Sequence, residues 1–588
     1  MTFLKAFTRP WRQTKDYPVV FSCPGNTPPR RLFTGTPSPR ADRSLSNVAD
    51  ESFYPSPVQR IRETEYPHMK KGIYLDHSGT TIYARTLIES FANHMLSNLY
   101  GNPHSANAPA ELSGHVVDSV RQKVLNFFGA DPRHFDLVFT ANATAGIKLV
   151  ADCFRDLAER TRDGSFWYGY HKDSHTSLVG VRELAYGHSH CFESDGEVED
   201  WLRRPGSVPS GNNRNTCLRH LSRRGGLGLL AYPGQSNMTG RRLPLSWPGA
   251  VRLSPDLTNT YSLLDCAALA MTSPLDAVFR NVETAPDFTC VSLYKIFGFP
   301  DLGALIVRKD SGHILTLRKY FGGGTVTMVS VLGGSWHKTK GLDSAAVESH
   351  DGTAANNKGP SYEIHDSLED GTLPFHSILA LDQAIDVHSR IYGSMRNISR
   401  YTTSLSKILY NELRRLRHAN GRPACHIYTD DDGQGYGDPQ RQGATIAFNV
   451  MDADGVYIPY SDVEKIANDN GVYVRSGGIC CPGGLYTALD YEPWELQRAF
   501  SAHHVCGPDG ISLIHQLPTG VVRASLGAMS TREDISRFVS FLQETFVRQG
   551  SARTLASGHH RVPGRAEEYS EDMDYGISSP ALATAGTA

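Results

Sequence analysis

One lysine, Lys295, lies in a setting that changes its chemistry. It follows a β-rich run at 291–293, lies in a turn rich in glycine and proline, and precedes an apolar strand at 304–307. A lysine held between two apolar strands loses hydration, and desolvation favours the neutral amine. A neutral amine is a nucleophile suited to a Schiff base with pyridoxal phosphate (PLP). The alternative is a lysine at a strand end whose stem is buried and whose amine reaches solvent.

A second stretch, FTANATAGIKLVA at 139–151, joins a predicted strand to a predicted helix through small residues. Small side chains allow backbone N–H groups to approach an anion, and the N-terminus of a helix favours negative charge. We therefore predict a phosphate site there, with the Thr144 hydroxyl as an added donor. The alternative is a tight strand-to-helix turn without a ligand.

Three other polar residues lie in or after apolar segments, and each could contact the ring of PLP. Asp265 ends an apolar strand, where open α/β sheets place their ligands, and its carboxylate would pair with a protonated pyridine nitrogen. His175, in DSHTSLVG, would stack on the cofactor ring or transfer protons. Asn237, in YPGQSNMTG, offers a donor to the phenolic oxygen of that ring. The alternatives are a helix N-cap or surface acid, a structural histidine among the 24 in the chain, and an ordinary polar loop.

Two segments towards the C-terminus carry thiols and guanidinium groups. Cys480 and Cys481 lie in VRSGGICCPGG at 474–484, and a thiol on such a mobile, exposed loop near Arg475 would be a reactive nucleophile. For Cys481 we favour the alternative, a buried or unreactive thiol. Arg523, on the strand in GVVRASLG, has a planar fork that suits a substrate carboxylate, the alternative being a surface ion pair.

An α/β framework must position these residues. Between 73 and about 546, short apolar strands alternate with amphipathic helices, which indicates a mostly parallel sheet flanked by helices. Apolar spacing predicts helices at 110–128 and 147–154 and strands at 137–140, 228–232 and 261–264. A capping pattern at Thr531 and Asp534 predicts a last helix.

Composition excludes several classes of protein. A chain of 588 residues suffices for two or more domains, and 40% hydrophobic with 20% charged residues is ordinary for a soluble globular enzyme. A formal net charge of −2 gives no support for a nucleic-acid partner, and no apolar run approaches the ~18 residues that a membrane span needs. The ten cysteines lack the spacing of a zinc site, so we expect no metal site and reduced thiols in a cytoplasmic protein.

We divide the chain into four parts. Residues 1–66, rich in Pro, Ser, Thr and Arg, are predicted to be a disordered extension, and 550–588 a disordered tail. The basic start of the extension fits a mitochondrial transit peptide as a minor alternative, although prolines interrupt any long amphipathic helix. Residues 67–385 would form a large PLP-binding domain and 386–549 a smaller domain with the cysteine loop. Polar stretches at 193–226 and 338–359 are predicted to be surface insertions.

Taken in order, the motifs resemble the class V aminotransferase family of fold type I PLP enzymes. Within that family they are most similar to the cysteine desulfurases, above all to the PLP domain of eukaryotic molybdenum cofactor sulfurases. The similar stretches span about 73–546 and include IYLDHSGTT (73–81), YGNPHSAN (100–107), FTANATAGIKLVA (139–151), DSHTSLVGVRE (173–183), PGQSNMTGRRLPLSW (233–247), LLDCAAL (263–269), SLYKIFGFPDLGAL (292–305), FGGGTV (321–326), LEDGT (368–372), VRSGGICCPGG (474–484) and VRASLG (522–527).

The resemblance implies a fold and a role for each candidate residue. The fold would be that of the fold type I transferases, an α/β large domain followed by a smaller α+β domain. Lys295 would bind PLP and remove the substrate Cα proton, while Cys480 would carry a persulfide. The other implied roles are pairing with the pyridine nitrogen by Asp265, ring stacking by His175, a phenolic-oxygen contact by Asn237, phosphate binding by Ala143, Thr144, Ser292 and the Thr372 of a homodimer partner, and substrate-carboxylate binding by Arg475 and Arg523.

The implied activity is that of a PLP-dependent L-cysteine desulfurase or sulfurtransferase. L-Cysteine would give alanine, and its sulfur would pass to Cys480 and then to molybdenum cofactor or another acceptor. Where the cofactor sulfurases read R-T-G-C-F-C-N-P-G-A-C, this chain reads R-S-G-G-I-C-C-P-G-G-L, so Cys480 is kept and Cys481 is new. The alternative is a class V lyase, epimerase or aminotransferase acting on another amino acid, which would not need Cys480. A third alternative, a catalytically silent scaffold, would bind no PLP.

Overall fold

The computed structural model describes residues 53–186, 188–205, 226–341, 362–505, 507 and 510–548. Its strands are β1 (Ile73–Tyr74), β2 (Phe135–Thr140), β3 (Trp167–His171), β4 (Ser189–Phe192), β5 (Gly228–Pro233), β6 (Thr260–Asp265), β7 (Phe288–Ser292), β8 (Gly303–Arg308), β9 (Val326–Ser330), β10 (Trp336–Thr339), β11 (Cys425–Tyr428), β12 (Thr445–Val450), β13 (Val472–Tyr473), β14 (Arg475–Gly477), β15 (Leu513–Ile514), β16 (Leu517–Pro518) and β17 (Val521–Ser525). Its α-helices are α1 (Val58–Glu65), α2 (Arg85–Ser97), α3 (Ala108–Phe128), α4 (Ala143–Ala158), α5 (Thr176–Val179), α6 (Asp195–Arg203), α7 (Trp247–Leu253), α8 (Asp276–Phe279), α9 (Tyr294–Phe297), α10 (His313–Thr316), α11 (Phe375–Tyr392), α12 (Met395–Arg415), α13 (Tyr460–Asp469), α14 (Pro482–Ala488), α15 (Pro493–Ser501) and α16 (Arg532–Leu542).

A seven-stranded sheet organises the larger part of the chain, in the order β2–β8–β7–β6–β5–β3–β4. The strands from β7 to β4 pair in parallel, and β8 runs antiparallel to both of its neighbours. The predicted strands at 137–140, 228–232 and 261–264 lie in β2, β5 and β6. The predicted α/β fold with a mostly parallel sheet is therefore confirmed.

Both faces of this sheet are covered, which explains the nearly continuous apolar sequence of its strands. Along β5, Leu229 and Ala231 pack into one core cluster, whereas Leu230 and Tyr232 pack into another. Successive side chains of a strand point to opposite faces, and parallel sheets are usually buried on both. Helix α4 contributes to the first cluster, while α3 and α11 contribute to the second. The ends of the parallel strands are thereby fixed in a rigid layer.

A smaller antiparallel sheet, in the order β11–β12–β17–β14, forms the centre of the C-terminal part. Strand β1 pairs with β13, and a bridge joins Asp76 to Ser525 in β17. Helix α16 begins with the predicted capping box, in which Thr531 and Asp534 bond each other's backbone N–H. The chain after β1 thus lies beside the strand that carries Arg523.

The packed part of the chain begins earlier than the predicted boundary at 67. Residues 53–66 include α1, and they bury Tyr54, Ile61 and Tyr66 in the core. These few apolar residues are widely spaced in a polar sequence, so they give little periodic signal on their own. The predicted boundary at 385 lies inside α11, which continues to Tyr392.

The predicted insertion at 193–226 begins as ordered structure. Ser194 caps α6, and this helix buries Val198 and Trp201. The rest of that insertion, at 206–225, lies outside the described residues, as do 342–361, most of the predicted extension at 1–52 and the tail from 549 onwards. Within the described ranges, no helix is long and apolar enough to cross a membrane.

Candidate active site

Lys295 lies in α9, the short helix that follows the buried strand β7. Burial lowers the pKa of its amine from 10.5 to about 8, and the charges of Arg523 and Arg475 lower it further, while Asp265 opposes them. A cation loses stability when it is removed from water or placed near other cations. The amine is therefore easily deprotonated near neutral pH, as a nucleophile or proton acceptor must be.

The N-terminus of α4 forms a cradle of backbone N–H groups close to this lysine. Asn142 caps the helix and accepts a hydrogen bond from the Ala145 N–H at 3.0 Å. The Ala143 N–H donates to the Ser292 hydroxyl at 3.2 Å, which joins the helix to the end of β7. Gly303 allows this approach, since a Cβ there would overlap the Asn142 backbone. The cradle is lined by small residues and suits an anion such as a phosphate.

A hydrogen-bonded chain leads from this cradle to His175. The Thr144 and Ser177 hydroxyls lie 2.7 Å apart, and the Ser177 hydroxyl lies 2.9 Å from His175 Nδ1. The Ser177 backbone N–H also donates to His175 Nδ1 at 3.1 Å. Because Nδ1 accepts a backbone proton, a neutral His175 carries its own proton on Nε2. The ring is thus oriented with Nε2 as its donor.

Cys480 faces this histidine from a loop that is docked rather than exposed. The Thr176 N–H donates to the Cys480 carbonyl at 3.0 Å, and the side chain is half-buried. The hydrogen bond from His175 is the main cause that lowers the pKa of the Cys480 thiol from 9.0 to about 7, and Arg475 acts in the same direction. Cys480 thus has the lowered pKa expected of a reactive thiol, although its loop packs against the site instead of extending into solvent.

The neighbouring thiol has the opposite environment. Cys481 is fully buried, and its Sγ donates to the Asp173 carbonyl at 3.6 Å. Burial raises the pKa of Cys481 well above that of an ordinary thiol. The two cysteines face different partners because Ile479 and Cys480 both have positive φ, of 42° and 58°, which turns the loop sharply. Residues with a Cβ rarely adopt this conformation, so the surrounding contacts must hold the loop in place.

Two arginines lie opposite each other on adjacent strands, Arg475 on β14 and Arg523 on β17. Arg523 is 2% exposed and donates to the Asp76 carboxylate and to the Asn237 carbonyl, both at 2.9 Å. Burial lowers the pKa of Arg523. Arg475 is partly exposed, and its guanidinium makes no hydrogen bond or ion pair within the described residues. Its fork is therefore the one that remains available for a ligand carboxylate.

Asp265 and Asn237 complete the set around the lysine. Asp265 ends β6 and is 7% exposed, and one of its oxygens accepts the Ala267 N–H at 2.9 Å. Asn237 donates from Nδ2 to the Ile479 carbonyl at 2.7 Å, while its buried Oδ1 has no hydrogen-bond partner in the described part of the chain. The predicted contact of Asn237 with a phenolic oxygen thus competes with a bond that holds the cysteine loop.

Within the described residues, Thr372 makes no hydrogen bond to any member of this cluster. Thr372 is exposed and accepts a hydrogen bond from Asn102 at 3.3 Å. Sequence reasoning also missed two groups, Asp76 and Ser177, that hold Arg523 and His175 in place. A carboxylate directly after a strand in YLDHSGTT was the available signal for Asp76, whereas nothing in the sequence distinguishes Ser177 from other serines.

The polar groups of the site match the chemical groups of PLP. The cradle at Ala143 suits the phosphate, the easily deprotonated Lys295 suits the aldehyde, and the Asp265 carboxylate suits a protonated ring nitrogen. The orphaned Oδ1 of Asn237 marks a buried polar atom that the protein alone leaves unsatisfied within its described residues. Such atoms are rare in folded proteins unless a ligand or water completes them.

The sequence is similar to those of curated proteins with a stated function. Curated relatives include the molybdenum cofactor sulfurases of Aspergillus niger, 49% identical over 494 residues, and Botryotinia fuckeliana, 50% identical over 496 residues. Both matches cover 84% of this chain, but only 55% and 56% of the two relatives. The chain thus spans about half the length of the curated relatives it matches.

Solved structures share the fold. The apo cysteine desulfurase of Thermococcus onnurineus superposes with a TM-score of 0.58 at 19% identity, and the Escherichia coli cysteine desulfurase CsdA with 0.56 at 18% identity. Each comparison covers 83% of this chain and 98% of the other. At these identities the likeness shows the fold type I architecture and no more.

The family profile of the class V aminotransferases supplies the assignment. It matches residues 73–168 and 220–538, which contain every candidate residue of the site except His175. The interruption between the two matched ranges contains α6 and the polar stretch that follows it. Since the profile covers most of the sequence, the chain belongs to the aminotransferase class-V family.

Proposed function

We propose that the chain is a PLP-dependent L-cysteine desulfurase that transfers sulfur to Cys480 and then to an acceptor. The observation that carries this proposal is the pairing of Cys480 with His175 beside Lys295. A class V enzyme that acts on another amino acid needs the lysine but has no use for a thiol whose pKa is lowered to about 7. A thiolate at neutral pH is the nucleophile that sulfur transfer requires.

The residues named above hold PLP in this proposal. Ala143, Thr144 and Ser292 bind the phosphate, Asp265 pairs with the ring nitrogen, and Lys295 bonds the aldehyde carbon. Bound there, PLP supplies an electron sink for the negative charge that develops at the substrate Cα.

The side chains of the site then share the work on L-cysteine. Arg475 binds the substrate carboxylate, with Arg523 behind it, because a guanidinium fork matches a carboxylate. The neutral amine of Lys295 takes the Cα proton. His175 keeps Cys480 as a thiolate and orients its sulfur towards the sulfur of the substrate.

Sulfur transfer balances without an external oxidant. The Cys480 thiolate attacks the substrate sulfur, an S–S bond forms, and the C–S bond of L-cysteine breaks. The electron pair of that bond stays with the substrate Cβ, which takes up a proton and becomes the methyl group of alanine, while Lys295 returns the proton to Cα. The Cys480 sulfur is oxidised as the substrate carbon is reduced, so one L-cysteine and one thiol give one alanine and one persulfide.

Molybdenum cofactor is the acceptor that we propose, as a substrate of the second half-reaction. The curated relatives named molybdenum cofactor sulfurase support this choice at 49% and 50% identity. We further propose a homodimer in which Thr372 of one subunit completes the phosphate site of the other, since Thr372 is exposed and makes no hydrogen bond to its own cradle in the described part of the chain. The cytoplasm is the proposed compartment, from the reduced thiols expected of the sequence.

The test is to incubate the purified protein, loaded with PLP, with L-cysteine and to measure alanine and protein persulfide. We expect both products from the wild type, and their loss in Cys480→Ser. Cys191→Ser is the matched control, since Cys191 is also a partly exposed thiol but lies on β4, outside the site. Undiminished alanine and sulfide in Cys480→Ser would exclude the proposed mechanism, and turnover of another amino acid without sulfur release would favour the class V alternative.

A further inference from the structure

Arg241 lies outside the groups that contact substrate or PLP, yet it joins the two segments that hold the Cys480 loop. We propose that Arg241 is a positioning residue that fixes His175 and the Cys480 loop in register for sulfur transfer. The inference rests on the proposed desulfurase function, which it deepens by naming a further determinant of the same site.

The guanidinium of Arg241 binds carboxylates from three separate parts of the chain. It donates to Asp195 at 2.7 and 3.1 Å and to Asp173 at 2.9 Å, and its Nε lies 2.9 Å from an Asp430 oxygen. Asp173 follows β3, Asp195 begins α6, and Asp430 follows β11. Burial and the nearby Asp173 raise the pKa of Asp430, which reflects how closely these carboxylates crowd each other. A planar fork with several donors can bridge such a group, whereas a lysine ammonium is a single point charge.

The first segment that Arg241 holds is the turn that carries His175. Asp173, bound through its carboxylate, accepts the Cys481 thiol on its backbone carbonyl. Three residues further on, the Thr176 N–H binds the Cys480 carbonyl at 3.0 Å. The same short turn therefore presents His175 to the thiol and forms hydrogen bonds with both Cys480 and Cys481.

The helix after the loop packs against this turn so closely that only glycine fits. A Cβ on Gly483 would overlap the Lys172 carbonyl oxygen, and a Cβ on Gly484 would lie 2.8 Å from an Asp173 carboxylate oxygen. The position of the Asp173 carboxylate therefore determines how near α14 can approach. Arg241 fixes that carboxylate, and through it the start of the helix that follows Cys480.

The second segment is the turn to which Arg241 itself belongs. The Arg241 carbonyl accepts the Ser236 N–H at 2.8 Å, which closes the turn around Asn237. Asn237 in turn donates to the Ile479 carbonyl at 2.7 Å, directly before Cys480. Both sets of contacts that hold the loop thus lead back to Arg241, through its guanidinium at the His175 turn and through its backbone carbonyl at the Asn237 turn. Substitution of the side chain removes the first set directly.

The charged groups that act directly on Cys480 are His175, Arg475 and Arg523. Arg241 is not among them, so a change at Arg241 reaches the thiol only by moving the turn or the loop. A residue that served overall stability alone would leave the reactivity of Cys480 unchanged in the folded enzyme. The pH profile of that reactivity therefore separates positioning from a general structural role.

The experiment compares Arg241→Gln and Arg241→Lys with wild type and with Arg441→Gln, as PLP-loaded full-length proteins. Arg441 makes a matched Arg–Asp ion pair with Asp431 at 2.7 Å, and its side chain is half exposed. Two quantities are measured: the midpoint of the pH profile for alkylation of Cys480 by iodoacetamide, and kcat and KM for alanine formation from L-cysteine. PLP absorbance and thermal unfolding establish that each variant is folded and loaded.

We expect both Arg241 variants to raise the alkylation midpoint by about one pH unit. At pH values below the wild-type midpoint, this shift lowers the thiolate fraction of Cys480 ~tenfold relative to wild type. The value of kcat should fall by about the same factor, with little change in KM, and Arg441→Gln should behave as wild type. Arg241→Lys keeps a positive charge among three carboxylates and so provides the decisive comparison should Arg241→Gln not fold. Wild-type midpoints and kcat in Arg241→Lys would overturn the proposal. A wild-type protein that forms no persulfide would instead refute the proposed function, while the midpoints would still decide the role of Arg241.

Discussion

The reactivity of Cys480 depends on His175, and replacement of that histidine tests the dependence directly. The hydrogen bond from His175 is the main cause that lowers the thiol pKa from 9.0 to about 7. The Ser177 N–H holds His175 Nδ1, so Nε2 is the nitrogen left for the sulfur. We expect His175→Ala to raise the Cys480 pKa towards its ordinary value. A full return to the ordinary value would lower the thiolate fraction at pH 7 from about one half to about 1%.

The assay is the rate of Cys480 alkylation by iodoacetamide as a function of pH, without L-cysteine. A thiol with a lowered pKa is reactive above that pKa, so the wild type should react fully from just above neutral pH and the variant only at alkaline pH. His190→Ala is the control, because His190 is also a partly buried histidine but pairs with Glu197 at 2.8 Å. An unchanged midpoint in His175→Ala would refute the assignment of His175 as the group that activates the thiol.

Three other changes test separate parts of the structure. Arg475→Gln should raise the KM for L-cysteine by about tenfold or more with a smaller effect on kcat, since a hydrogen bond to a charged group contributes ~1.5–3 kcal/mol; an unchanged KM would remove Arg475 from the substrate site. Gly483→Ala should slow persulfide formation in a folded, PLP-loaded protein, because its methyl group would overlap a backbone carbonyl, whereas Gly114→Ala has open space and should behave as wild type. Glu369→Gln should lower the free energy of unfolding by ~3–5 kcal/mol, because it leaves the buried Arg121 without the carboxylate that binds it at 2.7 and 2.9 Å. Denaturant unfolding measures this free energy, and a loss below about 1 kcal/mol would contradict the expected role of the ion pair.

The cofactor half of the site could be predicted from sequence because its residues lie at the ends of apolar strands. Thr144 follows β2, Asp265 ends β6 and Lys295 follows β7. In a parallel sheet these strand ends meet at one edge, so local patterns are enough to bring the three residues together. Small residues in the turn after β2 indicated the backbone cradle at Ala143 for the same reason, since their effect on the backbone is local.

The thiol half could not be predicted from sequence in the same way. Cys480 meets His175 only because a loop with positive φ at Ile479 and Cys480 turns it back onto the large sheet. The glycine-rich sequence predicted an exposed loop, since glycine is typical of flexible segments, but here Gly483 serves close packing. The pairing of Arg523 with Asp76 likewise depends on contacts between distant parts of the chain.

The central claim is that Cys480 receives the sulfur of L-cysteine while alanine is released. A single turnover of the PLP-loaded protein with L-cysteine, followed by quantification of alanine and mass analysis of the peptide that carries Cys480, tests it most directly. The account predicts one alanine for each sulfur atom added to that peptide, and neither product in Cys480→Ser. Alanine without added sulfur on the peptide, or the same yield from Cys480→Ser, would contradict it.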